Sequence, residues 1–150
     1  MHSTAVALAL ITAVLNASAA IAGAWAWQRF ESPRAFWLLL RAGQGAAILQ
    51  AVFAGVAAVA GSRPDDGLYW LYALLPVAVG FFAEQIRSVV AAAELDRRGL
   101  PDAQAAGSLP PAEQAFLVRA ILHRELGIMA TAAAVVAFLA LRALSTSAGL

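Results

Sequence analysis

Hydrophobic and polar positions in this chain alternate over the length of whole helices rather than residue by residue. Four long apolar stretches, at about 3–27, 35–61, 68–93 and 115–144, are separated by short polar segments. Each stretch provides the roughly 20 apolar residues that a helix needs to cross a bilayer. The pattern predicts an all-α protein, an integral membrane four-helix bundle that forms a single four-span domain over residues 1–150.

Turn-forming residues mark the limits of the spans. The first connection, 28–34, contains a proline and three charged residues, and the second, SRPDDG at 62–67, contains proline and glycine. Both compositions are typical of helix ends and turns. The third connection, at about 94–111, predicts a polar cytoplasmic loop. Residues 112–126 are amphipathic, which predicts an interfacial lead-in to the fourth helix.

The first apolar stretch has an alternative interpretation as a signal peptide. Small residues at Ala17, Ser18 and Ala19 resemble a cleavage site, but only His2 precedes the apolar run and no basic residue does. The run is also longer than the 7–15 residues typical of a signal-peptide core. We therefore predict an uncleaved span.

The arginines are distributed unevenly between the two ends of the predicted bundle. Eight lie in or beside the first and third connections, namely Arg29, Arg34, Arg41, Arg87, Arg97, Arg98, Arg119 and Arg124; only Arg63 and Arg142 lie at the other end. Because cytoplasmic segments carry the excess of basic residues, both termini are predicted to face outward. The absence of Lys, together with the abundance of Ala and Gly, is typical of a GC-rich bacterial genome, so we expect the inner (plasma) membrane of a bacterium.

Composition argues against several classes of function. The mean hydropathy is +0.76 and the net charge is +1, so there is no basic face for nucleic acid. There is no Cys, and two distant His residues do not make a zinc site. His2 and His123 are predicted at opposite ends of the bundle, too far apart to hold one haem iron together. We therefore predict no metal, no cofactor and no catalytic set, and we expect the bilayer itself as a partner.

Ionisable residues inside the predicted spans are the candidate functional residues. Each is expected to cost roughly 2.5–3.5 kcal/mol on insertion unless it is paired. At 1.5 Å per residue, Arg41 lies about 10 Å from the inner edge of its span and Glu84 about 15 Å from the inner end of its helix. Comparable depth predicts a contact between Arg41 and Glu84. The hypothesis is an inward-facing polar pocket that binds a small anionic group or passes protons. Its predicted walls are Arg41, Gln44, Glu84, Arg87 and His123.

A purely structural interpretation competes with this hypothesis. Arg41 and Glu84 then form an ion pair that only satisfies two charges, Arg87 extends its side chain to the inner surface, and His123 is solvated at the interface.

Further features bear on assembly. Gly43 and Ala47 permit close helix approach. Gln50 falls on the helix face opposite Arg41 and is expected to need a partner, which predicts a homo-oligomer or a partner membrane subunit. Pro76 is expected to kink the third helix before Glu84.

Three classes of function follow from these observations. The first is a transporter or channel with a small-molecule or ion ligand, and the second is an accessory or assembly subunit of a larger membrane complex. The third is a membrane enzyme of lipid or glutathione chemistry. Arg41 followed by Ala42 is similar to the pattern of the four-span eicosanoid and glutathione enzymes, although Gly45 and Ile48 stand where Asn and Glu are expected.

Overall fold

The computed structural model describes residues 1–147, which form four long helices and one short helix. The elements are α1 (His2–Gln28), α2 (Arg34–Val59), α3 (Leu68–Arg97), α4 (Ala103–Gly107) and α5 (Pro111–Ser145). No strand occurs among these residues. The four long helices are each long and apolar enough to cross a membrane. The predicted all-α four-helix bundle is therefore confirmed.

The four long helices run alternately up and down and form a ring in the order α1, α2, α3, α5. Among neighbours in this ring, α2 and α3 make the least extensive contact. We call the end of the bundle that holds the α1–α2 and α3–α5 connections the Arg-rich end. The first and last described residues meet at the opposite end, where His2 Nδ1 lies 2.9 Å from the Ser147 carbonyl oxygen. The two ends of the described part of the chain, residues 1–147, therefore lie on one side of the bundle.

The helix interfaces are built mainly from small residues. Along α1, for example, the buried positions include Ala5, Ala9, Ala13, Ala19, Gly23 and Ala26. These recur every three to six residues and therefore share one helical face. Larger aliphatic side chains such as Leu10 and Ile21 are exposed on the outside of the bundle. This is the arrangement expected where lipid surrounds the protein and close backbone packing, rather than apolar burial, holds helices together.

Gly43 shows why a small residue is needed at the α1–α2 interface. A Cβ at this position would lie 2.7 Å from Asn16 Nδ2 and 2.9 Å from Asn16 Oδ1. The absence of a side chain at Gly43 therefore leaves room for the buried amide of Asn16. That amide donates a hydrogen bond from Nδ2 to the Thr12 carbonyl at 2.9 Å. The close approach expected at Gly43 is present, and its contact is with a polar side chain.

The Arg-rich end differs in detail from the sequence prediction. Helix α3 continues to Arg97, and α5 begins at Pro111, so the amphipathic lead-in and the fourth span are one helix of 35 residues. At 1.5 Å per residue α5 is about 52 Å long, well beyond the roughly 30 Å hydrocarbon core. Between them, α4 occupies part of the segment predicted as a loop, and the Asp102 side chain accepts a hydrogen bond from the Ala105 N–H at its start.

Gln50 does not need a second chain to bury it. Its side chain is 1% exposed within the single chain, and neither amide atom has a hydrogen-bond partner among the described residues. The sequence predicted that Gln50, on the face opposite Arg41, would be covered by a second chain. In the bundle this face of α2 is already buried by the chain's own helices. Gln50 therefore does not indicate an oligomer, and oligomerisation stays a prediction.

Candidate functional site

Five polar side chains from three helices form a hydrogen-bonded cluster, here called the polar network. Arg41 and Gln44 come from α2, Glu84 and Arg87 from α3, and Glu125 from α5. The spacing of three residues in each of the first two pairs places both members on one helical face. The network therefore forms where the polar faces of α2 and α3 meet near the Arg-rich end.

Glu84 lies at the centre of the polar network. Its Oε1 accepts hydrogen bonds from Arg41 Nη1 at 2.6 Å and from Gln44 Nε2 at 3.1 Å. Its Oε2 accepts from Arg87 Nε at 2.8 Å. Arg41 Nη1 also donates to Gln44 Oε1 at 2.7 Å, which fixes the amide beside the carboxylate. Both carboxylate oxygens are thus engaged by donors from two helices.

Arg87 extends the network to α5. Its Nη1 lies 3.4 Å from Glu125 Oε2, and its guanidinium carbon lies 5.8 Å from the centre of the Trp37 ring. An aromatic face at this distance attracts a cation. With two Arg and two Glu side chains, the network carries no net formal charge. Because its positive and negative side chains pair with one another, the network can lie within the spanning part of the bundle without an unpaired charge.

An apolar cavity of about 290 Å³ adjoins the polar network. It lies between α2 and α3, with one residue of α1 and one of α5 at the back. Its lining residues are Asn16, Gln44, Ala47, Ile48, Pro76, Val77, Gly80, Phe81, Glu84 and Val136. Three of these, Ile48, Val77 and Phe81, are also exposed on the outer surface of the bundle. The cavity therefore opens sideways, toward the lipid, where α2 and α3 pack least.

The structure brings together four of the five residues predicted for the pocket. Arg41, Gln44, Glu84 and Arg87 are in one network, and the predicted contact between Arg41 and Glu84 is present. Among these four, only Gln44 and Glu84 line the cavity. The sequence had predicted a polar pocket open to the inner side, whereas the cavity is mainly apolar and opens laterally. That these residues bind a ligand stays a prediction.

His123 lies apart from the polar network, on the side of α5 that faces α1. Its ring stacks between Trp27 and Phe30, with ring centres 4.9 Å and 4.4 Å away and interplanar angles of 14° and 13°. Phe30 adopts the left-handed conformation, with φ +55°, just beyond the end of α1. Helix α5 instead contributes Glu125 to the polar network. Two residues along a helix are separated by about 200°, so Glu125 and His123 face opposite neighbours.

We predict that His123→Phe leaves stability unchanged or raises the free energy of unfolding by up to about 1 kcal/mol. The His123 Nδ1 atom is buried without a hydrogen-bond partner in the described part of the chain. Phenylalanine keeps a ring between Trp27 and Phe30 and removes that unsatisfied nitrogen. Thermal unfolding in detergent measures the effect, with His123→Ala as the variant that loses the stack. Equal losses for both variants would mean that the imidazole nitrogens themselves stabilise the fold.

The fold and the site define a small multi-pass membrane protein with a charge-balanced network inside its helical bundle. Among residues 1–147, no group of three His, Cys, Asp or Glu residues is arranged to hold a metal ion. Comparison of the chain with protein-family models, with curated proteins and with solved structures finds no match. The polar network and its surroundings are therefore the features from which a function can be inferred.

Proposed function

We propose that this protein is a small membrane transporter that binds its ligand in the cavity between α2 and α3. The observation that carries the proposal is that Gln44 and Glu84, the centre of the polar network, also form a wall of the cavity. Its volume, about 290 Å³, is close to the lower end of the range of ligand pockets, roughly 300 Å³. Ionisable residues inside membrane spans commonly mark the path of a substrate or ion.

The shape of the groove between α2 and α3 supports a binding role. A Cβ added at Gly80, which lines the cavity, would have no atom within 4 Å, so the two helices stand apart at this depth. Gln44 and Glu84 reach the same groove. A molecule that enters it can therefore contact the apolar wall and the polar groups together.

Movement of α3 provides the transport step in this proposal. Pro76 lies within α3 and lines the cavity. Because proline lacks an N–H, the carbonyl of Tyr72 loses its α-helical partner, and the helix bends more easily there. Bending at Pro76 swings the half of α3 that carries Glu84. Since α2 and α3 make limited contact, this motion opens the cavity toward the Arg-rich end.

Uptake by proteoliposomes tests the proposal, with a radiolabelled panel of alkyl polyols, alkyl sulfonates and quaternary amines, which cross a bare bilayer slowly. We predict that Glu84→Gln lowers uptake of the transported compound by at least about tenfold, because a charge-assisted hydrogen bond is worth roughly 1.5–3 kcal/mol. Glutamine keeps the size of the side chain, so the purified variant should still assemble.

Glu94→Gln is the matched control for this experiment. Glu94 is likewise a carboxylate paired with two arginines, Arg98 at 3.2 Å and Arg124 at 3.4 Å, but it lies outside the cavity. This variant should transport like the wild type. The proposal is contradicted if wild-type vesicles take up no compound faster than empty vesicles, or if Glu84→Gln transports normally.

A further inference from the structure

We infer that the ligand is an uncharged amphiphile that enters from the lipid, with a hydroxyl or carbonyl group at the amides of Gln44 and Asn16 and an apolar chain in the cavity. The inference rests on the proposed function for the location of the site. It adds the chemical class of the ligand and the route by which the ligand arrives. Three features carry it: the charge balance of the network, the unused hydrogen-bonding groups and the lateral opening.

The charge balance of the polar network favours a neutral ligand. Glu84 is already paired with Arg41 and Arg87, and Arg87 is also paired with Glu125. Two positive and two negative side chains leave no residual charge for an ionic ligand to neutralise. A charged head group would therefore bring an unpaired charge into a mainly apolar cavity, which is unfavourable inside a membrane. An uncharged head group avoids this penalty.

The cavity retains hydrogen-bonding capacity that suits such a head group. Each side-chain amide nitrogen carries two N–H donors. Gln44 uses one of them on Glu84, and Asn16 uses one on the Thr12 carbonyl. Asn16 Oδ1 accepts no hydrogen bond within the part of the chain that the structure describes. Both amides line the cavity, so together they offer donors and an acceptor to a hydroxyl or carbonyl group.

The lateral opening indicates arrival from the bilayer. The exposed side chains of Ile48, Val77 and Phe81 line the cavity and also form the outer surface between α2 and α3. A lipid-soluble molecule can pass between them without entering water. An aliphatic alcohol such as decanol, which has one hydroxyl group and one apolar chain, is therefore a suitable probe.

Photolabelling of the full-length protein in lipid nanodiscs tests the inference. The probe is decanol that carries a photoreactive diazirine on its chain, and mass spectrometry locates the labelled residues. We expect label at Ile48, Val77 and Phe81. Unlabelled decanol should compete with the probe, whereas decanoate and decyltrimethylammonium should not. If the probe only dissolves in the lipid around the protein, a low concentration of unlabelled decanol will not displace the label.

A cavity-filling variant provides the specificity control. In Gly80→Leu the new side chain enters open space, and label at the three residues should fall by at least about tenfold because the chain no longer fits. Gly55→Leu is the matched control, since a Cβ there also has no atom within 4 Å and Gly55 does not line this cavity. It should label like the wild type. If Gly80→Leu does not assemble, the smaller substitution Gly80→Ala is tested in its place.

The outcomes separate this inference from the function on which it rests. Competition by decanoate or decyltrimethylammonium, but not by decanol, overturns the neutral ligand and leaves a transporter for charged amphiphiles. Labelling that is equal in wild type and in both Gly80 variants overturns the cavity as the binding site. Absence of displaceable label, together with absence of uptake of any compound by proteoliposomes, overturns the proposed function as well. Displaceable label that depends on Gly80 supports the inference even where uptake is slow.

Discussion

Glu84→Leu is expected to lower the free energy of unfolding by about 2–3 kcal/mol, less than the roughly 3–5 kcal/mol for a fully buried charge pair that loses one partner. The substitution deletes the acceptors of three hydrogen bonds, from Arg41, Gln44 and Arg87. Two guanidinium groups then lose their central partner within the spanning part of the bundle. The loss is moderated because Arg87 keeps Glu125 and because the Arg41 side chain is 52% exposed and can extend toward the head groups.

Unfolding in mixed detergent and SDS, followed by tryptophan fluorescence, measures this loss. Glu84→Gln should lose about half as much, because the amide oxygen still accepts a hydrogen bond from Arg41. The double variant Arg41→Met with Glu84→Leu should be less destabilised than the sum of the single variants, since the unpaired Arg41 is absent. Additive losses would mean that the 2.6 Å contact between Arg41 and Glu84 contributes nothing to stability.

The spans could be predicted from the sequence because the bilayer imposes a single length requirement on every helix. The four apolar stretches meet it, and their limits agree with α1 and α2 to within two residues. The agreement fails at the Arg-rich end, where α3 and α5 are longer than the membrane requires. There the ion pair of Glu94 with Arg124 joins the two helices, and Glu94 also pairs with Arg98 at the end of α3. Such pairs are invisible to a hydropathy pattern.

The contact between Arg41 and Glu84 could be predicted because it depends only on depth and helical face. The contribution of α5 could not be predicted in the same way. Helical spacing shows that His123 and Glu125 face different directions, but it does not show which direction faces α3. That choice depends on the order of the helices around the ring, which follows from the packing of the whole bundle. His123 was therefore predicted as the residue of this helix in the pocket, whereas Glu125 is the one that pairs with Arg87.

The cavity could not be predicted because it is a local lack of packing. Small residues are needed to leave a cavity between helices, but they are equally typical of helices in close contact. Gly43 and Gly80 illustrate the ambiguity: a Cβ on Gly43 would collide with Asn16, whereas a Cβ on Gly80 would meet no atom within 4 Å. Both lie within apolar spans. Only the distance between neighbouring helices distinguishes a tight interface from an open one.

Gly23→Ala is expected to lower the free energy of unfolding by about 1–3 kcal/mol, the usual range for overpacking. A Cβ at this position would lie 2.6 Å from Ala130 Cβ and 2.7 Å from Phe36 Cε2. Neither neighbour can move aside easily, since the Ala130 methyl is fixed to the α5 backbone and the Phe36 ring is 0% exposed. The added methyl group therefore pushes α1 away from both α2 and α5, which are its two partners in the ring.

Gly55→Ala distinguishes this collision from a general effect of replacing glycine in a helix. A Cβ on Gly55 would have no atom within 4 Å, so the variant gains helix propensity, worth up to about 1 kcal/mol, without a steric penalty. The two variants make the same chemical change in apolar helices, and their effects on SDS unfolding should have opposite signs. If Gly23→Ala unfolds at the wild-type SDS fraction, then α1 does not pack against Phe36 and Ala130 at this distance. The ring order that directs Glu125 toward α3 and His123 toward α1 depends on that packing and would have to be revised with it.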